Sequence, residues 1–162
     1  MAKDKVVKTN AMRILDKEGI SYEFKSYECD EFSDASVTAD RLSLPHELVY
    51  KTLVTIGHSN NYFVFVIPID KELDLKKAAK SVKEKSVEMI PVKNITNVTG
   101  YVRGGCTAIG MKKLYKTVID ETALHLEIMH VSAGKIGAQI GIAPNDLAKA
   151  AKAEFCDIIL TS

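Results

Sequence analysis

Apolar positions along the chain change period several times, and each change marks a predicted element. Val7, Ala11, Ile14 and Leu15 recur at helical spacing ahead of Gly19, which predicts a helix ending near that glycine. Tyr22 and Phe24 alternate with polar neighbours, the pattern of a half-buried strand. Residues 34–42 read as a short helix. Residues 48–56 and 62–69 are rich in Val, Ile and aromatics, and Gly57-His58-Ser59-Asn60-Asn61 between them is turn chemistry. The pair predicts a hairpin. Asp74 stands at an N-cap, with Leu75, Ala78, Ala79 and Val82 on one helical face beyond it.

A less regular stretch follows, with Pro91 and Asn97-Val98-Thr99-Gly100. Gly104-Gly105-Cys106-Thr107-Ala108-Ile109-Gly110 is too glycine-rich for a regular element. Residues 116–119, 126–131, 138–142 and 155–160 read as strands, with a turn over 132–137. A helix runs from Ala143-Pro144-Asn145-Asp146 to Lys152. Asp74-Leu75-Lys76-Lys77-Ala78-Ala79-Lys80 echoes Asp146-Leu147-Ala148-Lys149-Ala150-Ala151-Lys152. Two similarly capped helix starts explain the echo better than a duplicated domain. The expected class is α+β: one domain over residues 1–162, with a largely antiparallel or mixed sheet and several helices.

Composition narrows the setting. A chain of 162 residues with 46% hydrophobic residues can bury a real core. It has no apolar run of the roughly 18 residues that a membrane span requires. The charged N-terminus does not resemble a signal peptide. Three scattered cysteines (Cys29, Cys106, Cys156) argue against a disulfide framework and for a reducing compartment. Cytoplasm is the expected location. The net charge of +1 hides a segregation. Between Asp16 and Glu47 there are nine acids and three bases; between Lys71 and Lys116, eleven bases and four acids. This is either a positive face for a polyanion or two solvated faces of opposite sign.

Candidate chemistry is sparse. His46, His58, His125 and His130 show no metal-ligand spacing, and satisfied or exposed imidazoles are expected at each. No metal or other cofactor is expected. Residues 105–110 have the spacing of a phosphate loop, but Met111 replaces the lysine that must follow. Gly134-Lys135 is followed by Ile136, not by a metal-ligating hydroxyl. Such glycines still permit close backbone approach to a ligand, or they form tight turns. Cys106 has no histidine base beside it in sequence and reads as a loop or core cysteine. Lys51 lies inside the apolar Val49-Tyr50-Lys51-Thr52-Leu53-Val54. It either faces solvent or projects into a cleft to meet phosphate or polarise a carbonyl.

Several segments combine in order: Tyr50-Lys51-Thr52-Leu53, Leu75-Lys76-Lys77-Ala78-Ala79, Thr99-Gly100-Tyr101, Gly104-Gly105 to Gly110, and Val131-Ser132-Ala133-Gly134-Lys135. Together with Ile142-Ala143-Pro144-Asn145-Asp146 and Ala153-Glu154-Phe155-Cys156-Asp157-Ile158, they resemble the YbaK family of aminoacyl-tRNA deacylases. That family is related to the editing domain inserted in bacterial prolyl-tRNA synthetases. The resemblance implies a curved mixed sheet and hydrolysis of mischarged tRNA, with cysteine on proline tRNA as the substrate of the nearest subgroup. Cysteine is close to proline in size, so a second hydrolytic site supplies discrimination that pocket shape cannot.

By the same resemblance Lys51 is the lysine on which the family depends, and Gly104 supplies backbone to the aminoacyl group. Tyr27, Tyr50, Thr52, Ser132, Gly105, Gly134 and Gln139 form the expected substrate-binding set. Family mechanism points to attack by the substrate's own thiol on its ester, which removes the need for a general base. Mischarged tRNA is the expected partner, with prolyl-tRNA synthetase as a possible second one, and a monomer or weak oligomer as the assembly. The rival readings are a deacylase for alanine or serine and a non-catalytic module that binds tRNA or a synthetase. Family members often carry proline at the position of Ala108, glycine at Ala133, arginine near Ile136 and, among cysteine-clearing relatives, an acid at Gln139. These departures lie on the substrate loops and bear on amino-acid specificity.

Overall fold

The computed structural model describes residues 8–27 and 35–161. Val7, Cys29 and Asp34 lie outside the described residues. Helix α1 (Asn10–Lys17) starts where the Thr9 hydroxyl accepts from the Met12 amide, and it buries Ala11, Met12 and Leu15. Strand β1 (Glu23–Ser26) and helix α2 (Ala35–Arg41) follow. The hairpin pairs β2 (Tyr50–Gly57) with β3 (Tyr62–Pro68), in register from Tyr50↔Pro68 to Ile56↔Tyr62. In α3 (Leu75–Ser81) the Asp74 carboxylate accepts from the Lys76 and Lys77 amides. The remaining elements are β4 (Val87–Met89), α4 (Ile95–Thr99), β5 (Lys116–Asp120), β6 (Met129–Ser132), β7 (Ala138–Ile142), α5 (Pro144–Ala151) and β8 (Ala153–Cys156). No helix among the described residues is long and apolar enough to cross a membrane.

The class is α+β with mixed, mostly antiparallel pairing, as expected. The strands divide into two sheets instead of one continuous curve. One has the order β1-β7-β6, the other β4-β2-β3-β5-β8, and the last two junctions of the larger sheet are parallel. A single bridge between Val49 and His130 joins them. Beyond that bridge no further pairing joins β2 to β6 among the described residues.

Cross-strand register sorts the side chains. Lys51, Leu53 and Thr55 lie opposite Ile67, Phe65 and Phe63, and so share one face of the larger sheet. Helix α3 covers that face through Ala78 and Ala79, with Val82, Val118 and Ile158 in the same cluster. Tyr50 and Val66 point the other way, into the main core with Leu15, Ile119, Met129, Ile140 and Leu147. That core is closed by α1, α5 and the smaller sheet.

Several local expectations need correction. Leu75 is exposed, because it starts α3 before the helix turns its Ala78–Ala79 side inward. Residues 121–125 form a 3-10 turn, so the strand read from residue 126 begins only at Met129. The final strand starts at Ala153 and ends at Cys156, because left-handed Lys152 (φ 54°) redirects the chain at once. Ala143 caps α5 and Asp146 sits within its first turn, so the echo with residues 74–80 joins unlike helix starts. The stretch around Pro91 contains β4 and α4. His130 is neither exposed nor satisfied. It is buried with no partner at Nδ1 among the described residues, and burial first, then Lys25, pushes its pKa down.

Candidate active site

The open edge of β2 creates the site. The Val54 carbonyl accepts from the Ile90 amide, so the even-numbered backbone groups of β2 point away from β3. Since β4 pairs only with Thr55, Ile56 and Gly57, the N–H and C=O of Thr52 face outward beyond its end. Unpaired strand groups must find other partners, water or a ligand. Facing this edge are the 102–106 turn and the ends of β6 and β7.

A cleft of about 300 Å³ lies there. Its walls include Tyr50, Lys51, Thr52, Gly104, Ser132 and Gln139, all singled out in the sequence. Thr38, Leu53, Arg103 and Cys106 complete it. Thr38 left no local signal, since only the docking of α2 brings it near. Arg103 had one in hindsight, a cation directly before a glycine pair. Lys51 and Arg103 make the cleft cationic, and no carboxylate or imidazole lines it among the described residues.

Three of the expected residues lie behind the wall. Among the described residues Tyr27 touches the cleft-lining Thr38, whose hydroxyl lies 3.3 Å from its own; the Arg41 guanidinium stacks 5.4 Å from the Tyr27 ring centre. Gly105 is buried against the next loop. A Cβ on it would sit 2.8 Å from the Lys135 backbone and 2.9 Å from the Ile136 nitrogen. Gly134 adopts φ +103° and packs on Tyr101 and Thr9. Both glycines set the loops' separation from below and contact no cleft space.

Backbone and hydroxyl bonds hold these loops in place. Tyr101 donates to the Ile109 carbonyl at 2.6 Å, and Asn10 Nδ2 to the Gly110 carbonyl at 2.9 Å. Ser132 Oγ accepts from the Gly134 amide at 3.1 Å, which leaves its own proton to donate into the cleft. Gln139 is only 6% exposed, and its Oε1 has no partner among the described residues, so an acceptor stands unmet in the wall. Burial pushes the Cys106 thiol up to about 11, partly offset by a hydrogen bond with Thr99. Such a thiol is protonated at neutral pH and a poor nucleophile.

A charged latch holds α2 over this site. His46 Nε2 lies 2.7 Å from Asp40 of α2, and Nδ1 lies 3.1 Å from Asp70 beyond β3. Both ring nitrogens face carboxylates, so only the imidazolium donates to both. Hydrogen bonds donated to Asp40 and then to Asp70 raise the His46 pKa above the ordinary 6.5. A raised folded-state pKa means the latch stabilises fully below 6.5 and is lost as pH rises through the folded value. The thermal-midpoint difference between wild type and His46→Gln is therefore expected to be largest just below that pH and to vanish under alkaline conditions. A pH-independent difference would show that the imidazolium is not the latch.

Loop packing makes a second prediction. Gly105→Ala forces backbone apart at the Lys135 contact, and overpacking of this kind costs about 1–3 kcal/mol. Denaturant unfolding is expected to register that loss, with a larger relative loss of catalytic rate because the cleft walls separate. Wild-type stability and rate together would mean that the two loops move freely.

The geometry so far describes a positioning site fed by two glycine loops and one lysine. A family model described as the aminoacyl-tRNA editing domain matches residues 29–150, most of the chain. This chain belongs to the aminoacyl-tRNA editing domain family. Among curated relatives, EbsC of Enterococcus faecalis (strain ATCC 700802 / V583) is 41% identical over 162 residues, covering 98% of each chain. It carries the provisional name of a Cys-tRNA(Pro)/Cys-tRNA(Cys) deacylase. Two solved structures share the editing-domain fold at 19% identity. One, described provisionally as a trans-editing enzyme for prolyl tRNA synthetase, superposes with a TM-score of 0.81 over 96% of this chain and 100% of its own. The other, hypothetical protein APE2540, gives 0.81 over 91% and 97%.

Proposed function

We propose that this editing-family chain hydrolyses the ester of mischarged tRNA, with cysteine on proline tRNA as its principal substrate. The observation that carries the reading is the convergence of Lys51, Thr52, Gly104, Ser132 and Gln139 on one small cationic cleft. The 41% identity to EbsC over almost the whole length supports the same activity. On this reading residues 1–162 act as one editing unit in the cytoplasm, a monomer or weak oligomer, with prolyl-tRNA synthetase as a docking partner.

An aminoacyl ester is already activated, so orientation and charge stabilisation suffice. Lys51 supplies positive charge to the developing oxyanion or the terminal phosphate. The Thr52 N–H and the Ser132 hydroxyl orient the acyl group and ribose, and Gly104 lets backbone approach the aminoacyl end. Gln139 Oε1 accepts from the α-ammonium. The substrate thiol then attacks its own carbonyl: the S–C bond forms, the C–O bond to ribose breaks, and the thiol proton passes to the departing ribose oxygen. Water opens the resulting thiolactone to free cysteine.

The test is a deacylation assay across Cys-tRNA(Pro), Ala-tRNA(Pro), Ser-tRNA(Pro) and Pro-tRNA(Pro), run with and without EDTA. Cysteine is expected to be released fastest in both conditions, with Pro-tRNA left intact. Preferential release of alanine or serine would reassign the substrate, as Gln139 of β7 in the cleft wall allows. Tight binding with no cleavage across the panel would make the chain a binding module.

A further inference from the structure

Apart from Arg103, the segregated positive charge of residues 71–116 lies outside the cleft. Four of its lysines, Lys76, Lys80, Lys83 and Lys85, line an open groove of about 610 Å³ between α3 and β4. Lys76 and Lys80 are four residues apart on α3 and project from one helix side. The exposed Leu75 and the buried Val87 form part of an apolar floor.

The groove's acid is turned elsewhere. Glu84 accepts from the Ser59 amide and hydroxyl, each at 3.0 Å, and so ties the groove to the hairpin turn. Lys77, by contrast, is committed inward to Asp157 at 3.0 Å and to the Ile159 carbonyl at 2.9 Å. Among the described residues, none of the four groove lysines has an ion-pair partner. Four lysines against the single carboxylate of Glu84 leave the groove a net positive field that a polyanion satisfies.

Position says which polyanion. Lys51 and Leu53 lie on the same sheet face that α3 covers. Val87 of the groove pairs with Gly57, six residues along β2 from Lys51, a separation of about 20 Å. A nucleic-acid backbone, with a phosphate every few ångströms, spans that distance without a break. We propose that the α3–β4 groove holds the phosphate backbone of the tRNA body while the acylated 3′ end occupies the cleft at Lys51. This inference rests on the deacylase reading of that cleft. It assigns the lysines to affinity for whole tRNA and not to ester chemistry.

The test neutralises the groove with Lys76→Gln, Lys80→Gln and Lys85→Gln together. Lys83 is spared because its φ of 60° makes substitution a backbone question. Lys17→Gln with Lys149→Gln, exposed on helices that pack against the opposite face, is the control. For full-length mischarged tRNA, KM is expected to rise on the order of ten-fold, and the slope of log affinity against log salt to shrink by roughly two to three. An acylated CCA trinucleotide should be hydrolysed at the wild-type rate by all three proteins. Fluorescence anisotropy with uncharged tRNA reads the groove independently of hydrolysis. Wild-type protein that binds tRNA through these lysines but releases no amino acid would sink the deacylase reading and leave the groove standing. Unchanged tRNA affinity and salt slope in the triple variant would overturn the groove proposal. So would an equal loss on the trinucleotide, or loss of binding to anionic phosphatidylserine vesicles while tRNA binding persists.

Discussion

Lys51→Ala is expected to lower kcat/KM for Cys-tRNA(Pro) by about 100-fold or more, the usual consequence of losing a charge-stabilising donor at an acyl centre. Fold stability should change by no more than about 0.5 kcal/mol, because the side chain lines an open cleft and has no hydrogen-bond or ion-pair partner among the described residues. Kinetics and chemical denaturation on one preparation separate the two effects. A stable Lys51→Ala protein with full activity would remove the centre of the proposed site. Cys106→Ser is the informative contrast. Its thiol is held protonated by burial at a pKa of about 11, so the exchange should leave turnover nearly untouched while costing about 1 kcal/mol of stability for a buried hydroxyl. Collapse of activity there would restore a covalent enzyme intermediate.

Replacing cysteine by S-methylcysteine on tRNA(Pro) is expected to abolish turnover while leaving binding within a few-fold. Among the described residues no carboxylate or imidazole lines the cleft to activate water. Intramolecular attack carries effective concentrations of roughly 10⁵ M or more, which lets a site without a base succeed. The measurement is single-turnover release of amino acid beside a binding titration with the same charged tRNA. Comparable rates for the methylated and free thiols would mean that the protein activates water, and the cysteine preference would then need another origin. Serine should also be slow, since a hydroxyl is a weaker nucleophile than a thiol.

Local chemistry made much of the architecture legible. The hairpin was readable because turn residues 57–61 separate two β-rich runs, and β2–β3 pairing follows directly. Helix α1 was readable from period alone, and α3 from its Asp74 cap, where one short-range hydrogen-bonding pattern decides the start. The order of the motifs carried the family, and six of the nine expected site residues meet in one cleft. The turn, the period and the cap depend on neighbours a few residues apart; the site residues were named by the resemblance.

What the sequence left open were contacts between distant segments. It could not say whether Lys51 faces solvent or a cleft, because that depends on β4 ending at Met89 and leaving the edge of β2 uncovered. It grouped Tyr27, Gly105 and Gly134 with the substrate contacts. Tertiary packing sets them one layer behind, Tyr27 under Thr38 and the two glycines against other loops. Thr38 itself enters because α2 docks through buried Ala39 against Leu44, Val49 and Ile69, with the His46 pairs to Asp40 and Asp70 at the rim. Charge counts likewise left a polyanion face and two solvated faces equally open, and the folding of α3 against β4 gathered four of those lysines into one groove. Period and turn chemistry determine which elements form. Long-range packing decides which edges stay open, and the chemistry occurs at an open edge.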